Sequence, residues 1–281
     1  MTDKGPIRVR SWLFTPATRP DRFANAVTAG ADVAILDLED AVAPKDKAQA
    51  RTYALDYLAG NPPNGALHAL RINGFDTRAG ISDLEALLGS SAAAPEFLVL
   101  PKTETIGHLQ ILDRLLTSAR KDTRLVGLIE SAHGLAAVEA IATATPRLFG
   151  LMLGSADMAA DLGAMTDWAP LAFARGRLVA ACALSGVAPI DSPFFDLHDG
   201  GGLKQEITAA MALGFSAKAA IHPTQIGAIN SALTPSAEAV DRARAILDEN
   251  ANGVGSVDGQ MIDEAVARKA RRTLATAGIE P

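Results

Sequence analysis

Cysteine is almost missing from this chain: Cys182 is the only one in 281 residues. No internal disulfide can form, and the Ala-rich helical setting of Cys182 favours a buried, small apolar role over nucleophilic catalysis. His68, His108 and His198 have no ligand-like spacing with one another, which argues against a zinc site. Long apolar runs are also missing. None approaches the roughly 20 residues needed to span a bilayer, and the stretch from Met1 to Pro6 has no signal-peptide core. A soluble, cytoplasmic protein is the expectation. The chain has no excess of positive charge, since 26 basic against 32 acidic residues give a net charge of -6 and no global attraction for nucleic acid. The Gly-x-Gly-x-x-Gly phosphate loop, the Walker A motif, the Gly-x-Ser-x-Gly elbow and a Cys/His nucleophilic pair are all absent.

What the chain does have is a regular repetition. Short apolar stretches at 11–14, 33–36, 69–73, 97–100, 125–130, 149–154, 188–191 and 217–222 end at their carboxyl sides in residues able to do polar chemistry. Helical patterns fill the gaps at 20–30, 44–60, 77–88, 104–119, 133–144, 168–186 and 200–213. Strands that alternate with helices imply βαβ units and a parallel sheet, and eight of them imply a closed (β/α)8 barrel. In that fold the carboxyl ends of all strands surround one site, so the polar endings converge and the protein is expected to be an enzyme. The barrel should occupy 1–232. Residues 233–281 should form a C-terminal helical extension: a helix over 235–250, a Gly-rich connector over 251–260 and a terminal helix over 261–277.

Glu130 closes a strand that is otherwise apolar, so its carboxylate is costly unless it meets a cation or hydrogen-bond donors. Asp157 lies one β/α repeat later. Two carboxylates on adjacent strand ends can hold one hard divalent ion and leave positions for water and substrate oxygens, the usual arrangement for Mg2+. Capping of a helix N-terminus is the alternative for either residue. Glu39 and Asp40 make a second acidic strand end, and Arg71 enters the same rim from the next strand, either to bind a developing oxyanion or to order the rim through ion pairs. His222 could contact the site or fix the turn after the last strand.

A family resemblance rests on these same positions. The segments Arg10-Ser-Trp-Leu-Phe-Thr-Pro-Ala-Thr-Arg-Pro-Asp-Arg-Phe23, Ile35-Leu-Asp-Leu-Glu-Asp-Ala-Val42, Leu70-Arg-Ile-Asn73, Leu100-Pro-Lys102, Leu128-Ile-Glu130, Leu153-Gly-Ser-Ala-Asp157, Ala220-Ile-His-Pro-Thr-Gln225 and Asp258-Gly-Gln-Met-Ile-Asp263 follow one another in order. Together they resemble the citrate lyase β-subunit-like enzymes of the HpcH/HpaI aldolase superfamily. The resemblance covers nearly the whole chain. It implies a Mg2+-dependent carbon–carbon lyase or synthase that acts on acyl thioesters, with Glu130 and Asp157 as metal ligands and Arg71 at the reacting centre. Gly154, Ser155 and Ala156 would hold a carboxylate through their backbone amides. Arg19 and Lys102 would meet the phosphates of the thioester carrier or form rim salt bridges.

The resemblance also makes Asp263 a lid aspartate that exchanges a proton with the acyl carbon across a subunit interface, which implies a homotrimer or hexamer. The chain departs from the family at Ala156, where related sequences usually carry an acidic residue, and at Met158. The leading expectation is therefore a stand-alone enzyme that cleaves a hydroxyacyl-coenzyme A into a 2-oxo acid and a shorter acyl-coenzyme A. The alternatives are the citryl-thioester lyase subunit and a catalytically weak barrel kept as a scaffold or regulatory subunit.

Overall fold

A computed structural model describes residues 9–60, 62–251, 255–257 and 260–279. Eight parallel strands close into a barrel in sequence order: β1 (Ser11–Pro16), β2 (Val33–Asp37), β3 (Leu67–Arg71), β4 (Phe97–Leu100), β5 (Arg124–Ile129), β6 (Leu148–Leu153), β7 (Ala188–Asp191) and β8 (Ala217–Ala220), with β8 pairing back onto β1. Each stretch read as a strand forms one. The strands read as continuous apolar runs because both of their faces are covered, and β2 is buried at every residue.

Helices α1 (Phe23–Thr28), α2 (Lys47–Ala59), α3 (Arg78–Gly89), α4 (Ile106–Ser118), α5 (Ala132–Ala136), α6 (Val138–Ala142), α7 (Ser155–Leu162), α8 (Trp168–Ser185), α9 (Gly200–Leu213) and α10 (Ile226–Ala232) connect and follow the strands. Two differ from expectation. The helix expected over 133–144 is broken into α5 and α6 at Ala137, whose backbone leaves the helical region at φ -105° and ψ 5°. Helix α7 carries no separate sequence signal because it is only 8 residues long and starts directly after the apolar run of β6. No described helix is long and apolar enough to cross a membrane.

The amino end of the barrel is plugged. Trp12, Phe97 and Phe149 stack with ring centroids 4.8–6.0 Å apart, and the Arg124 guanidinium lies 4.6 and 4.8 Å from the Phe97 and Phe149 rings. Aromatic rings fill that end efficiently, so open space is left at the carboxyl end, where the strand-end residues lie. Cys182 is buried on α8 with its thiol pushed up to about 12 by burial, which suits an inert core group.

Contacts divide the chain into two compact units, one of them spanning Arg10–Ile229. The other runs from Asn230 onward and contains α11 (Ala237–Ala251), an antiparallel pair formed by β9 (Gly255–Val257) and β10 (Gln260–Ile262), and α12 (Glu264–Ala277) around Ala243, Ile246, Ile262, Ala270 and Leu274. Here the expectation needs correction. Met261 and Ile262 belong to a strand rather than to the terminal helix, and strand alternation sends Ile262 into this unit's own core while Met261 stays 68% exposed. Asp258 and Gly259 of the C-terminal motif lie outside the described residues.

Candidate functional site

Strands β2 and β3 bring Asp37 and Arg71 opposite each other in register. The guanidinium grips Asp37 with two bonds, Nε to Oδ1 and Nη2 to Oδ2, each 2.7 Å. Nη1 donates to Asp40 at 3.2 Å and lies 2.9 Å from Glu39 Oε2. The Glu39 contact is an ion pair without hydrogen-bond alignment, so Oε2 remains a buried oxygen with no hydrogen-bond partner. Phe14 stacks 4.7 Å beneath the guanidinium. Burial is the largest influence on Arg71 and opposes its charge, but Asp37, Glu39 and Asp40 outweigh it and raise its pKa. Of the five guanidinium N–H donors, three make these hydrogen bonds, which leaves donor capacity for a substrate oxygen.

Below this rim Lys47 Nζ donates to the Leu38 and Glu39 carbonyls at 2.8 and 2.7 Å and to Asn73 Oδ1 at 2.6 Å, tying the loop after β2 to the end of β3. Sequence reasoning passed over both Asp37 and Lys47. Asp37 had a signal, since it occupies the residue of β2 that pairs with Arg71. Lys47 had none, because its partners are mainly backbone carbonyls.

Glu130 follows β5 and is 3% exposed. Its Oε1 accepts a 2.8 Å hydrogen bond from the Lys102 amide, and its other oxygen faces Gly154, where any Cβ would collide with the carboxylate. Glycine is therefore required at 154. Burial, reinforced by the charge of Glu39, raises the Glu130 carboxyl to about 8, and burial raises Glu39 to about 7.

Asp157 stands in the first turn of α7, whose N-cap is Gly154. Helix capping accounts for neither acid: Ser131 caps α5, and no side chain caps α7. Among the described residues no three His, Cys, Asp or Glu side chains are grouped to hold a metal. Two hard oxygen donors with spare valence, one of them a buried carboxylate short of a cation, fit Mg2+, which keeps several waters and takes few protein ligands.

A cavity of about 340 Å3 at the carboxyl end of the barrel gathers Asp37, Asp40, Arg71, Glu130, Gly154, Ser155, Ala156 and Asp157. Its remaining wall is apolar: Phe14, Leu128, Met152, Pro193, Phe195 and Ile221. The amides that open α7 supply orphan donors beside Asp157, as an anion requires.

The other expected residues fall elsewhere. Lys102 lines a neighbouring cavity of about 280 Å3 and its Nζ lies 3.6 Å from Glu39 Oε1. Arg19 is exposed and paired with Asp21 at 2.7 Å. His222 caps the turn after β8, where its side chain accepts from the Thr224 amide. Asp263 lies in the C-terminal unit and caps α12, its Oδ1 accepting from the Val266 amide at 2.9 Å.

Comparison with known proteins gives this geometry its context. Residues 10–223 match the HpcH/HpaI aldolase/citrate lyase family, and residues 176–279 match the C-C bond lyases of the TIM-barrel fold. The L-malyl-CoA/beta-methylmalyl-CoA lyase of Cereibacter sphaeroides is 35% identical, with 93% of this chain and 92% of that protein covered. The crystal structure of RipC from Yersinia pestis is 56% identical, with a TM-score of 0.73 over 83% of this chain and 98% of that one. CitE from Mycobacterium tuberculosis, solved in complex with magnesium, acetoacetate and coenzyme A, is 33% identical, with a TM-score of 0.79 over 99% of this chain and 100% of that one. By sequence over most of its length and by fold, this chain belongs to the HpcH/HpaI aldolase/citrate lyase family.

Proposed function

We propose that the chain is a Mg2+-dependent carbon–carbon lyase that cleaves a hydroxyacyl-coenzyme A thioester into a 2-oxo acid and a shorter acyl-coenzyme A. The observation that carries this reading is the pairing, in one cavity, of a cation-poor acidic end at Glu130 and Asp157 with an arginine end at Arg71. Glu130 and Asp157 would hold Mg2+, which when bound supplies Lewis-acid stabilisation of negative charge on the oxo acid's oxygens. The opening amides of α7, from Ser155 and Ala156, would receive the carboxylate.

The hydroxyl proton must leave as the carbon–carbon bond breaks; Asp40, which lines the cavity, would accept it, with Glu39, whose carboxyl burial raises to about 7, beside it on Arg71. The bond's electron pair passes to the acyl fragment as a thioester enolate. Arg71 binds that enolate oxygen through its spare N–H donors, and Asp37 fixes the plane of the guanidinium. A proton delivered to the enolate carbon completes the shorter acyl thioester. Asp263 would deliver it from a neighbouring subunit, in a homotrimer or hexamer in which residues 1–232 form the catalytic barrel and 233–281 the lid. Arg19 and Lys102 would meet the phosphates of coenzyme A. A cytoplasmic setting belongs to the same reading.

Among the described residues Arg71 is the only cationic side chain lining the cavity, and three carboxylates already engage it. A second substrate carboxylate would find no free cation there, whereas an aliphatic substituent would meet the apolar wall. This favours a hydroxyacyl group with a single free carboxylate over a citryl group. The test is a panel of coenzyme A thioesters, with mass spectrometry for the 2-oxo acid and the shortened thioester, run with Mg2+, with chelator, and with Glu130→Ala. Cleavage of the single-carboxylate substrates that needs both Mg2+ and Glu130 is expected. Equal cleavage of citryl-coenzyme A would overturn the substrate assignment, and cleavage indifferent to chelator would overturn the metal.

A further inference from the structure

Lys102 holds a left-handed backbone, φ 48°, which a residue with a Cβ adopts only at a conformational cost. The other described non-glycine residue with positive φ is Arg120, at 56°, and it has an ordinary explanation. It lies just past the end of α4, where the Lys121 amide returns to the Leu116 carbonyl at 2.9 Å in a common helix stop. Lys102 ends no helix. It follows Pro101 at the end of β4, four residues before α4 begins.

The conformation turns two consecutive amides toward β5. Lys102 N–H donates to Glu130 Oε1 at 2.8 Å, and Thr103 N–H donates to the Leu128 carbonyl at 3.0 Å. The turn is locked from behind, because Thr103 is fully buried and its hydroxyl donates to the Leu100 carbonyl at 2.9 Å. The Lys102 side chain takes no part in this. It is 53% exposed, and its Nζ lies 3.6 Å from Glu39 Oε1.

The geometry points to Lys102 as a positioning residue that acts through its backbone: the left-handed turn aims the amide at Glu130 and holds that carboxylate ready for a divalent cation, while the ammonium is dispensable for this. The inference rests on the reading of Glu130 and Asp157 as the Mg2+ ligands. Its physical basis is preorganisation. One carboxylate oxygen is pinned by a charge-assisted bond from a rigid amide, and Gly154 leaves the space beside the other oxygen free of any side chain. The carboxylate then needs little reordering when a cation arrives, and the strain at residue 102 is the cost of that arrangement.

Calorimetric titration of Mg2+ into the metal-free protein separates backbone from side chain. An amide-to-ester replacement at position 102, made with the hydroxy-acid counterpart of lysine, removes the N–H and keeps the ammonium; it should weaken Mg2+ binding at least about tenfold. Lys102→Ala and Lys102→Gly keep the N–H and should bind Mg2+ at least as tightly as wild type, since they also remove a positive charge near Glu130 and Asp157, with Lys102→Gly melting at or above wild type because glycine accepts φ 48° freely. Circular dichroism confirms that the ester protein is folded before it is titrated.

Wild-type affinity in the ester protein, or a tenfold loss shared by Lys102→Ala and Lys102→Gly, would overturn the backbone role. Glu130→Ala distinguishes the two levels of the argument. If it abolishes binding while the ester protein binds normally, only the positioning role falls; if it binds normally itself, the metal assignment falls and this inference with it.

Discussion

The barrel carries two multi-charge clusters, and they are built on opposite plans. On the β7/β8 side, Arg175 pairs with Asp191 at 3.0 Å, and Lys218 pairs with Asp191 and Glu206 at 2.7 Å each. Two cations face two carboxylates. Arg175 Nη2 and Lys218 Nζ also reach Ser192, Arg175 Nη1 is a buried nitrogen with no hydrogen-bond partner, and Trp168 stacks 4.4 Å from the Arg175 guanidinium. On the β2/β3/β5 side, Arg71, Lys47 and Lys102 stand among Asp37, Glu39, Asp40, Glu130 and Asp157, three cations against five carboxylates. With all five ionised, the excess of two negative charges equals the charge of one divalent cation. A balanced buried cluster can serve as scaffold without further help, whereas an unbalanced one carries carboxylates whose ionisation burial opposes and which a cation would restore. The difference in balance, more than the number of charges, separates the candidate site from its support.

The comparison breaks first, and by the largest margin, at Asp191. Asp191→Ala leaves buried Arg175 without a carboxylate partner and Lys218 with Glu206 alone, and should cost about 3–5 kcal/mol of stability. In urea unfolding this appears as a lower midpoint, while Mg2+ affinity of the folded protein stays at its wild-type value. A fall in Mg2+ affinity would mean that the two clusters are not independent.

Arg71→Lys keeps the charge but loses the two-pronged grip on Asp37 and the spare planar donors, so turnover should fall on the order of 100-fold, about 2.7 kcal/mol, with a smaller change in KM. Steady-state kinetics that leave turnover intact would reduce Arg71 to an ion pair of the same kind as Arg175.

pH sharpens the contrast in charge balance. In the metal-free fold Glu39 and Glu130 titrate near 7 and 8, above the ordinary carboxylate range. A raised carboxyl pKa contributes stability that is fully present below the unfolded value and is lost as pH rises through the folded values. The metal-free protein should therefore lose stability as pH rises from about 4.5, the unfolded value, to about 8, where the last of the folded carboxyls ionises. Mg2+ binds the ionised carboxylates, so its affinity should run the other way, falling about tenfold per pH unit below 7 for each proton displaced. Melting curves and calorimetry across that window check both signs, and Glu130→Gln should flatten the stability profile.

The smallest effect concerns Asp263, outside both clusters. Loss of its cap on α12 in Asp263→Ala should cost about 1 kcal/mol, whereas Asp263→Asn preserves the cap and removes only the exchangeable proton. If Asp263 acts as the proton donor, both variants lose turnover although only the alanine variant loses stability. Retained turnover in Asp263→Asn would leave Asp263 a capping residue alone.

Much of the fold could be read from the chain because its signals are local. Each strand of the barrel announces itself as a short apolar run, and the polar residue that ends it needs no partner to be noticed, which is how Arg71, Glu130 and Asp157 could be singled out. The β9–β10 pair could not be read, since three-residue strands carry too little pattern to compete with the helical signal that follows them.

The sequence by itself determined the β/α period, the convergence of strand ends and the residue types at the site, because periodicity and burial follow from the order of apolar and polar side chains. Only the tertiary structure decided which charges are balanced. Asp37 rather than Glu39 takes the two-pronged grip of Arg71, Lys47 serves backbone carbonyls, and Lys102 gives Glu130 its amide through a strained turn while its ammonium faces another acid. Hydrogen bonds and ion pairs depend on direction and on distances of a few ångströms between segments far apart in the chain, and those are set only when the barrel closes.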